Sequence, residues 1–303
     1  MSRPSLPVTD LGDLGADPGV FSALARVALT EDIASGDATT LATAPADLHG
    51  RGLLVARQDG VVSGVDAVAA VLAAAGEPPY LEVLGGRVDL EDPVTNGARA
   101  APGSVVGVLT GPVRAMLQLE RTVLNVLSHA SGVATHTARW VSAVGTGVVV
   151  RDSRKTLPGL RLLQKRAVVH GGGSPHRYNL SDQAMVKDNH GVAGGGVVSA
   201  YCAVRARNPD LWCEVEVDDL GQLRGVLGLD TPPHQVLLDN FTVADTEEAV
   251  RLRDGIAPGV LLESSGGLSL EVAGGYAAAG VDSLAVGALT HSVTALDIGL
   301  DLA

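Results

Sequence analysis

The chain has 303 residues, 46% hydrophobic and 18% charged, which is apolar surface enough for one large domain or two ordinary ones and too much for a disordered chain. Acidic residues outnumber basic ones 34 to 22, and a net charge of −12 argues against a general nucleic-acid or anionic-membrane surface. The two cysteines, Cys202 and Cys213, form no zinc spacing, the N-terminal stretch lacks an apolar signal core, and the Ala-rich run from Val61 is interrupted by Ser63, Gly64 and Asp66, so a reduced, cytoplasmic, non-membrane chain is expected.

In chain order, Asp17 and Pro18 cap and open a helix carried by Val20, Phe21, Leu24, Val27 and Ala28. Strands are read at GLLVARQ from Gly52, YLEVLGGRVDL from Tyr80 and SVVGVLTG from Ser104, with a helix over Val65 to Ala75 and turns at Asn96-Gly97 and Pro102-Gly103. Two helical stretches follow, Val113 to Leu127 and Val133 to Val144, and a domain change falls near residue 120. From residue 147 the pattern becomes regular. Short β-branched runs ending at Arg151, Lys187, Val217, Asp239, Glu263 and Gly287 alternate with helix-like stretches, as a parallel βα series does, and a partial (β/α) barrel is favoured over an open doubly wound sheet.

Each of these runs finishes at or beside a polar or charged residue or a glycine: Arg151 to Lys155, Lys187, Glu216, Asp239, Glu263 to Ser265, and Gly287. A parallel barrel gathers all such ends on one rim, where active sites are built. Between residues 151 and 187 lie eight basic side chains against two acidic ones, a cationic island in an acidic protein. Such an island suits a small polyanion, because Arg and Lys match carboxylates and phosphates. For Arg161, Lys165 and Arg166, on a helix-like run, a solvated face is the expectation; Arg154, Lys155, Arg177 and Lys187 are expected to meet the ligand. Gly171-Gly172-Gly173 and Ser264-Ser265-Gly266-Gly267 supply turns whose backbone N–H groups can hold an anion, and Ser265 to Gly267 is the phosphate candidate. Glycine makes up 38 residues and aromatics only 3%, so backbone amides are the better guess for ligand contact than aromatic platforms. Lys187 is also placed for a Schiff base, as in sugar-phosphate aldolases, although the crowding of arginines favours an anion ligand. Glu216 and Asp239, on successive strand ends, suit a hydrated Mg²⁺, sugar hydroxyls or a developing cation. Hydrolase, NTPase and simple dinucleotide-binding motifs are absent.

Nine segments in order, LTEDIASGDATT from Leu29, ERTVLNVLSHASGVATHT from Glu120, RDSRKTLPGLRLLQK from Arg151, the GGG-x-x-HR stretch, MVKDNH from Met185, EVEVDDL from Glu214, LLDNF from Leu237, LESSGGLS from Leu262 and VGALTHS from Val286, resemble the quinolinate phosphoribosyltransferase family. The resemblance runs from about residue 24 to the C-terminus. It implies an open α/β sandwich over residues 1–125, joined by the tail 290–303, and an incomplete α/β barrel over 126–289. It implies a homodimer or higher even oligomer with a shared active site, Mg²⁺ as cofactor, and quinolinate and phosphoribosyl pyrophosphate (PRPP) as substrates, with no nucleic-acid or membrane partner. Matched by position, Arg154, His176, Arg177 and Lys187 would hold the quinolinate carboxylates, with Arg121 reaching in from a second copy. Lys155 would contact PRPP phosphates, Glu216 and Asp239 the ribose hydroxyls and Mg²⁺, and Ser265, Gly267, Gly287 and His291 the 5′-phosphate side. Lys155, Lys187, Glu216 and Asp239 are the catalytic set. The chain departs from the family pattern at Pro175 and Asn179, beside His176 and Arg177, and at Arg166 and Val169, where Tyr and Arg are usual. Because the first two flank the expected clamp, they bear on which acid is accepted, and two other readings stay open: a relative acting on a different pyridine or azaaromatic acid, and a non-catalytic phosphosugar-binding protein.

Overall fold

The structure, a computed structural model, describes residues 5–7, 11, 19–33 and 35–303. Asp17 and Pro18 lie outside the described residues. The helix expected after them runs Ser22–Asp32 and buries Ala25 and Leu29, four residues apart on one face. The chain divides into two compact units: residues 19–138 with Thr156–Gly172 and Leu289–Ala303, and Arg139–Lys155 with Gly173–Ala288.

The first unit carries β1 (His49–Ala56), β2 (Gly60–Val61), β3 (Asp89–Glu91), β4 (Arg99–Ala100) and β5 (Val105–Pro112). The final strand of the chain, Ile298–Leu302, pairs antiparallel with β1 from Gly52↔Leu302 to Ala56↔Ile298, so the tail forms the edge of a four-stranded sheet whose inner strands are β1 and β5. β2 and β4 make a separate two-stranded pair. Two expectations are corrected. The stretch from Tyr80 opens as a short helix, Tyr80–Leu84, closed by Gly85 at φ 77°, and only Asp89–Glu91 is strand. The two helices expected between 113 and 144 are one, Val113–Val144, 32 residues long. Gly132 does not break it: a Cβ there would stand 2.3 Å from the Thr294 carbonyl oxygen, so glycine is needed for the close approach of the segment leading to the last strand.

The second unit holds β6 (Val149–Arg151), β7 (Ala184–Val186), β8 (Cys213–Val217), β9 (Gln235–Asp239), β10 (Leu261–Ser265) and β11 (Ser283–Ala285). All six expected strands form, all parallel, in the order β6-β11-β10-β9-β8-β7. β6 and β7 are the two edges of this sheet and do not pair among the described residues; the free side of β6 makes an isolated bridge, Arg151↔Ser174, and here the barrel stays open. The intervening helices are set by side-chain caps where the sequence offers them: Asp219 accepts the N–H of Gln222 at 2.8 Å and Thr242 that of Asp245 at 3.1 Å. No helix among the described residues is long and apolar enough to cross a membrane.

Strand alternation decides what lies inside this unit. Glu214 and Glu216 are two residues apart on β8 and so share a face, as do Gln235, Leu237 and Asp239 on β9 and Leu261, Glu263 and Ser265 on β10. β-branched runs of this kind lead one to expect strands with uncharged interiors. Instead Arg151, Glu214 and Glu263 are wholly buried, and Glu263, expected on the rim, lies in mid-strand with Ser265 taking the rim position.

Candidate active site

The lower layer is a buried ionic network. Arg151 donates from Nη1 to Glu263 Oε1 at 3.2 Å and to Gln235 Oε1 at 3.3 Å, Ser283 Oγ donates to Glu263 Oε1 at 2.6 Å, and Gln235 Nε2 donates to Ser283 Oγ at 3.2 Å. His176 completes it, with Nε2 2.9 Å from Glu214 Oε2 and 3.4 Å from Glu263 Oε2. Burial works against charge on Glu263, yet the Arg151 guanidinium and His176 hold its carboxyl far below the usual range. Glu214 goes the other way, pushed up by burial and by the Glu263 charge. By distance alone His176, Glu214 and Glu263 could hold a metal ion, but the guanidinium of Arg151 already supplies the cation that Glu263 needs.

His176 was expected to touch a ligand carboxylate. The structure engages both ring nitrogens within the protein, since the Arg177 N–H donates to Nδ1 at 2.7 Å while Nε2 faces Glu214, and only 4% of the residue is exposed. Its part is to orient Arg177 and to share a proton with Glu214. Burial pushes the group down, but Glu214 and Glu263 more than offset this, and His176 and Glu214 together keep one extra proton up to about 9. With Nδ1 accepting the Arg177 N–H, the imidazole carries its own proton on Nε2 and the extra one rests on the Glu214 carboxyl. Unfolded, the imidazole titrates near 6.5. The folded chain therefore keeps a proton that the unfolded chain has lost between those values, so stability present below pH ~6.5 should fall as pH rises towards 9, by at most about 3 kcal/mol. Urea unfolding across that window should show the decline in the wild type and a flatter profile in His176→Asn; equal slopes would contradict the assignment.

Above this layer opens a cleft of about 270 Å³. Its cationic side is made by Arg154 and Lys155, just beyond β6, by Arg177, and by Lys187 at the end of β7. Its acidic side is Glu216 and Asp239, while Leu237, Met185 and Ala285 line it with apolar surface and Ser265 and Gly287 border it. Nine of the residues expected from the sequence are thus gathered, His176 among them. Neither Arg154 nor Arg177 has a carboxylate partner within ion-pair distance among the described residues: Arg177 Nη1 donates only to the Gln183 carbonyl at 3.3 Å, and Arg154 Nε is buried without a partner. Burial and the Arg154 charge push the Arg177 guanidinium down, and the more distant Glu214 and Asp182 carboxylates pull the other way without offsetting them. Lys187 is ion-paired with Glu216. Asp239 is pushed up by burial and by the Glu216 charge, against the pull of Lys187 and Lys155.

Three expected residues do not line this cleft. Gly267 follows Ser265 and Gly266 in the turn after β10 and has φ 59°. Arg121 lies on the Val113–Val144 helix in the other unit, exposed and paired with its neighbour Glu120, beside a separate hollow bordered by Asp32, Asp37 and Gln118. His291 also belongs to that unit, at the end of the helix Ala288–His291.

The departures from the family pattern have local explanations. Among the described residues only Asp92 and Asn240 are non-glycines with positive φ, so Asn179 needs none of a glycine's freedom. Its Oδ1 accepts the N–H groups of Ser181 at 2.7 Å and Asp182 at 3.1 Å and forms the loop itself. Pro175 removes a donor that the frame does not use, since Ser174 donates to the Val150 carbonyl at 2.8 Å and His176 to Asp152 at 2.7 Å. Arg166 pairs with Asp66 at 2.7 Å and lies over the Phe21 ring, and Val169 is exposed; neither lines the cleft. The solvated face expected for Lys165 is also corrected, because that residue is wholly buried.

An open parallel barrel whose rim sets Arg154 and Arg177, with no carboxylate partner among the described residues, in one cleft with Glu216 and Asp239 suits an enzyme of anionic substrates. Residues 37–131 match the model for the quinolinate phosphoribosyl transferase N-terminal domain and residues 133–301 that for the C-terminal domain. A carboxylating nicotinate-nucleotide pyrophosphorylase of Mycobacterium leprae is 53% identical over 279 residues, 91% of this chain and 95% of that protein. The crystal structure of the nicotinate-nucleotide pyrophosphorylase from Francisella tularensis matches with a TM-score of 0.84 at 29% identity over 100% of both chains, and NadC from Streptococcus pyogenes with 0.83 at 33% over 99% of both. The chain belongs to the quinolinate phosphoribosyltransferase family.

Proposed function

We propose that this enzyme transfers the phosphoribosyl group of PRPP to the ring nitrogen of quinolinate, releasing pyrophosphate and CO₂ and leaving nicotinate mononucleotide for NAD biosynthesis. The observation that carries the reading is the pair Arg154 and Arg177, held together in the cleft without carboxylate partners and facing the acids Glu216 and Asp239. A dicarboxylate supplies the missing negative charge, and guanidinium forks fix its plane. Lys187 joins this clamp, and Lys155 meets the diphosphate. Glu216 and Asp239 hold the ribose hydroxyls and stabilise positive charge as the C1′–O bond to pyrophosphate breaks and the ring nitrogen bonds to C1′. With the nitrogen ribosylated and positive, the adjacent C–C bond breaks. Its electron pair stays on the ring carbon beside that nitrogen, CO₂ leaves, and a proton from water completes the product. Ser265, Gly267 and Gly287 border the 5′-phosphate.

Glu216 and Asp239 also suit Mg²⁺, being hard oxygen donors whose mutual repulsion raises Asp239. When bound there, the ion neutralises charge on the diphosphate leaving group. We assign the enzyme to the cytoplasm, a place that fits its two free cysteines. The active site is completed in a dimer, with Arg121 serving the cleft of a second copy.

Incubation with PRPP, Mg²⁺ and quinolinate should release CO₂, pyrophosphate and nicotinate mononucleotide in equal amounts; absence of CO₂ would overturn the reading. Arg121→Ala and Lys187→Ala should each be inactive alone. Mixed one to one, they should recover about a quarter of wild-type activity, since half of the dimers then carry one intact shared site of two. No recovery would show the sites to be independent.

A further inference from the structure

Asp239 is followed by a residue whose backbone is unusual. Asn240 has φ 55°, a left-handed conformation that asparagine tolerates better than any residue with a bulkier Cβ substituent. Three contacts account for it. Its N–H donates to the Ser265 carbonyl at 2.9 Å, which ties the end of β9 to the end of β10. Its side-chain Nδ2 donates to Asp239 Oδ2 at 2.8 Å. Its Oδ1 lies against the glycine turn, where a Cβ on Gly266 would stand 2.3 Å away, so that turn can close over the amide only because residue 266 has no side chain. Gly266 and Gly267 are themselves left-handed, at φ 81° and 59°.

The Asn240 amide is therefore a plate between the acid at the tip of one strand and the glycine turn at the tip of the next. With Oδ2 engaged, the orientation of the Asp239 carboxylate is fixed, and the same plate sets the height of the Ser265–Gly267 turn. We infer that Asn240 is a positioning residue that locks Asp239 and the glycine turn into one rigid half-site for the phosphosugar and leaves the arginine half-site untouched. The inference rests on the proposed reading for the identity of the ligand. It predicts a split between the substrates that a merely structural residue would not produce.

Two variants separate backbone from side chain. Asn240→Gly keeps the left-handed backbone and removes the amide, whereas Asn240→Ala strains the backbone as well. Loss of a hydrogen bond to a charged group predicts that Asn240→Gly raises the KM for PRPP by about tenfold or more while the KM for quinolinate stays within about twofold. Calorimetry with PRPP and Mg²⁺, without quinolinate, should show the same loss of affinity, and the melting temperature of Asn240→Gly should stay near the wild type. An Asn240→Gly enzyme whose PRPP affinity is unchanged, or whose two KM values rise together, would overturn the inference. If the wild type binds PRPP but makes no product from quinolinate, the functional reading falls alone, because the calorimetric comparison still decides the role of Asn240.

Discussion

Arg177→Ala is expected to lower kcat/KM for quinolinate by about two orders of magnitude while leaving the fold as stable as before or more so. The activity loss follows from removing a desolvated charge-assisted contact to a carboxylate, worth on the order of 3 kcal/mol. The stability effect has the opposite sign because Arg177 is held in the ligand-free cleft at a cost. Burial and the Arg154 charge disfavour its cation more than the Glu214 and Asp182 charges favour it, and among the described residues its guanidinium donates only to a carbonyl. Removing it relieves that repulsion before any ligand arrives. Arg177→Lys keeps the charge but loses the planar fork, and should recover only part of the activity. Steady-state kinetics and thermal unfolding of the two variants check both signs. A melting temperature several degrees lower, together with the lost activity, would mean that Arg177 supports the fold rather than the ligand.

The same opposition explains why the rim was legible in the sequence and the layer beneath it was not. Polar residues at the ends of regularly spaced β-branched runs can come together only if the strands are parallel, and the structure gathers Arg154, Lys155, Lys187, Glu216 and Asp239 on one cleft. The buried network sends a weaker signal. Glu214 sits in the run CEVEV among hydrophobic residues, and only the two-residue period, which sets it on the face of Glu216, reveals that it points inward. The other members of the network come from segments far apart in the chain: Arg151, His176 and Glu263. Lys165 reads as a solvated helix residue because its neighbours Arg161 and Arg166 are charged, yet tertiary packing buries it. The gap expected between Leu127 and Val133 is absent, and the reason for a glycine at 132, the close approach of Thr294, lies more than a hundred residues distant in the chain. Asn240 reads only as part of the LLDNF run, because a left-handed φ is invisible in the residue name.

The second large effect is expected in that hidden layer. Glu263→Gln keeps the shape of the side chain but leaves Arg151 wholly buried without its carboxylate, and breaking a buried pair by removing one partner costs about 3–5 kcal/mol. Arg151→Met should cost a similar amount for the mirror reason, an anion stranded beside His176 and Ser283. The double variant Arg151→Met/Glu263→Met removes both charges and should recover much of the loss, so the two single penalties will not add. Urea unfolding of the three proteins measures the coupling directly. Single variants within about 1 kcal/mol of the wild type would show that the pair carries little of the fold's stability. A double variant as stable as the wild type but slow in turnover would show what the charges are retained for: holding His176, and through its Nδ1 the backbone of Arg177, at the height where the guanidinium meets the ligand.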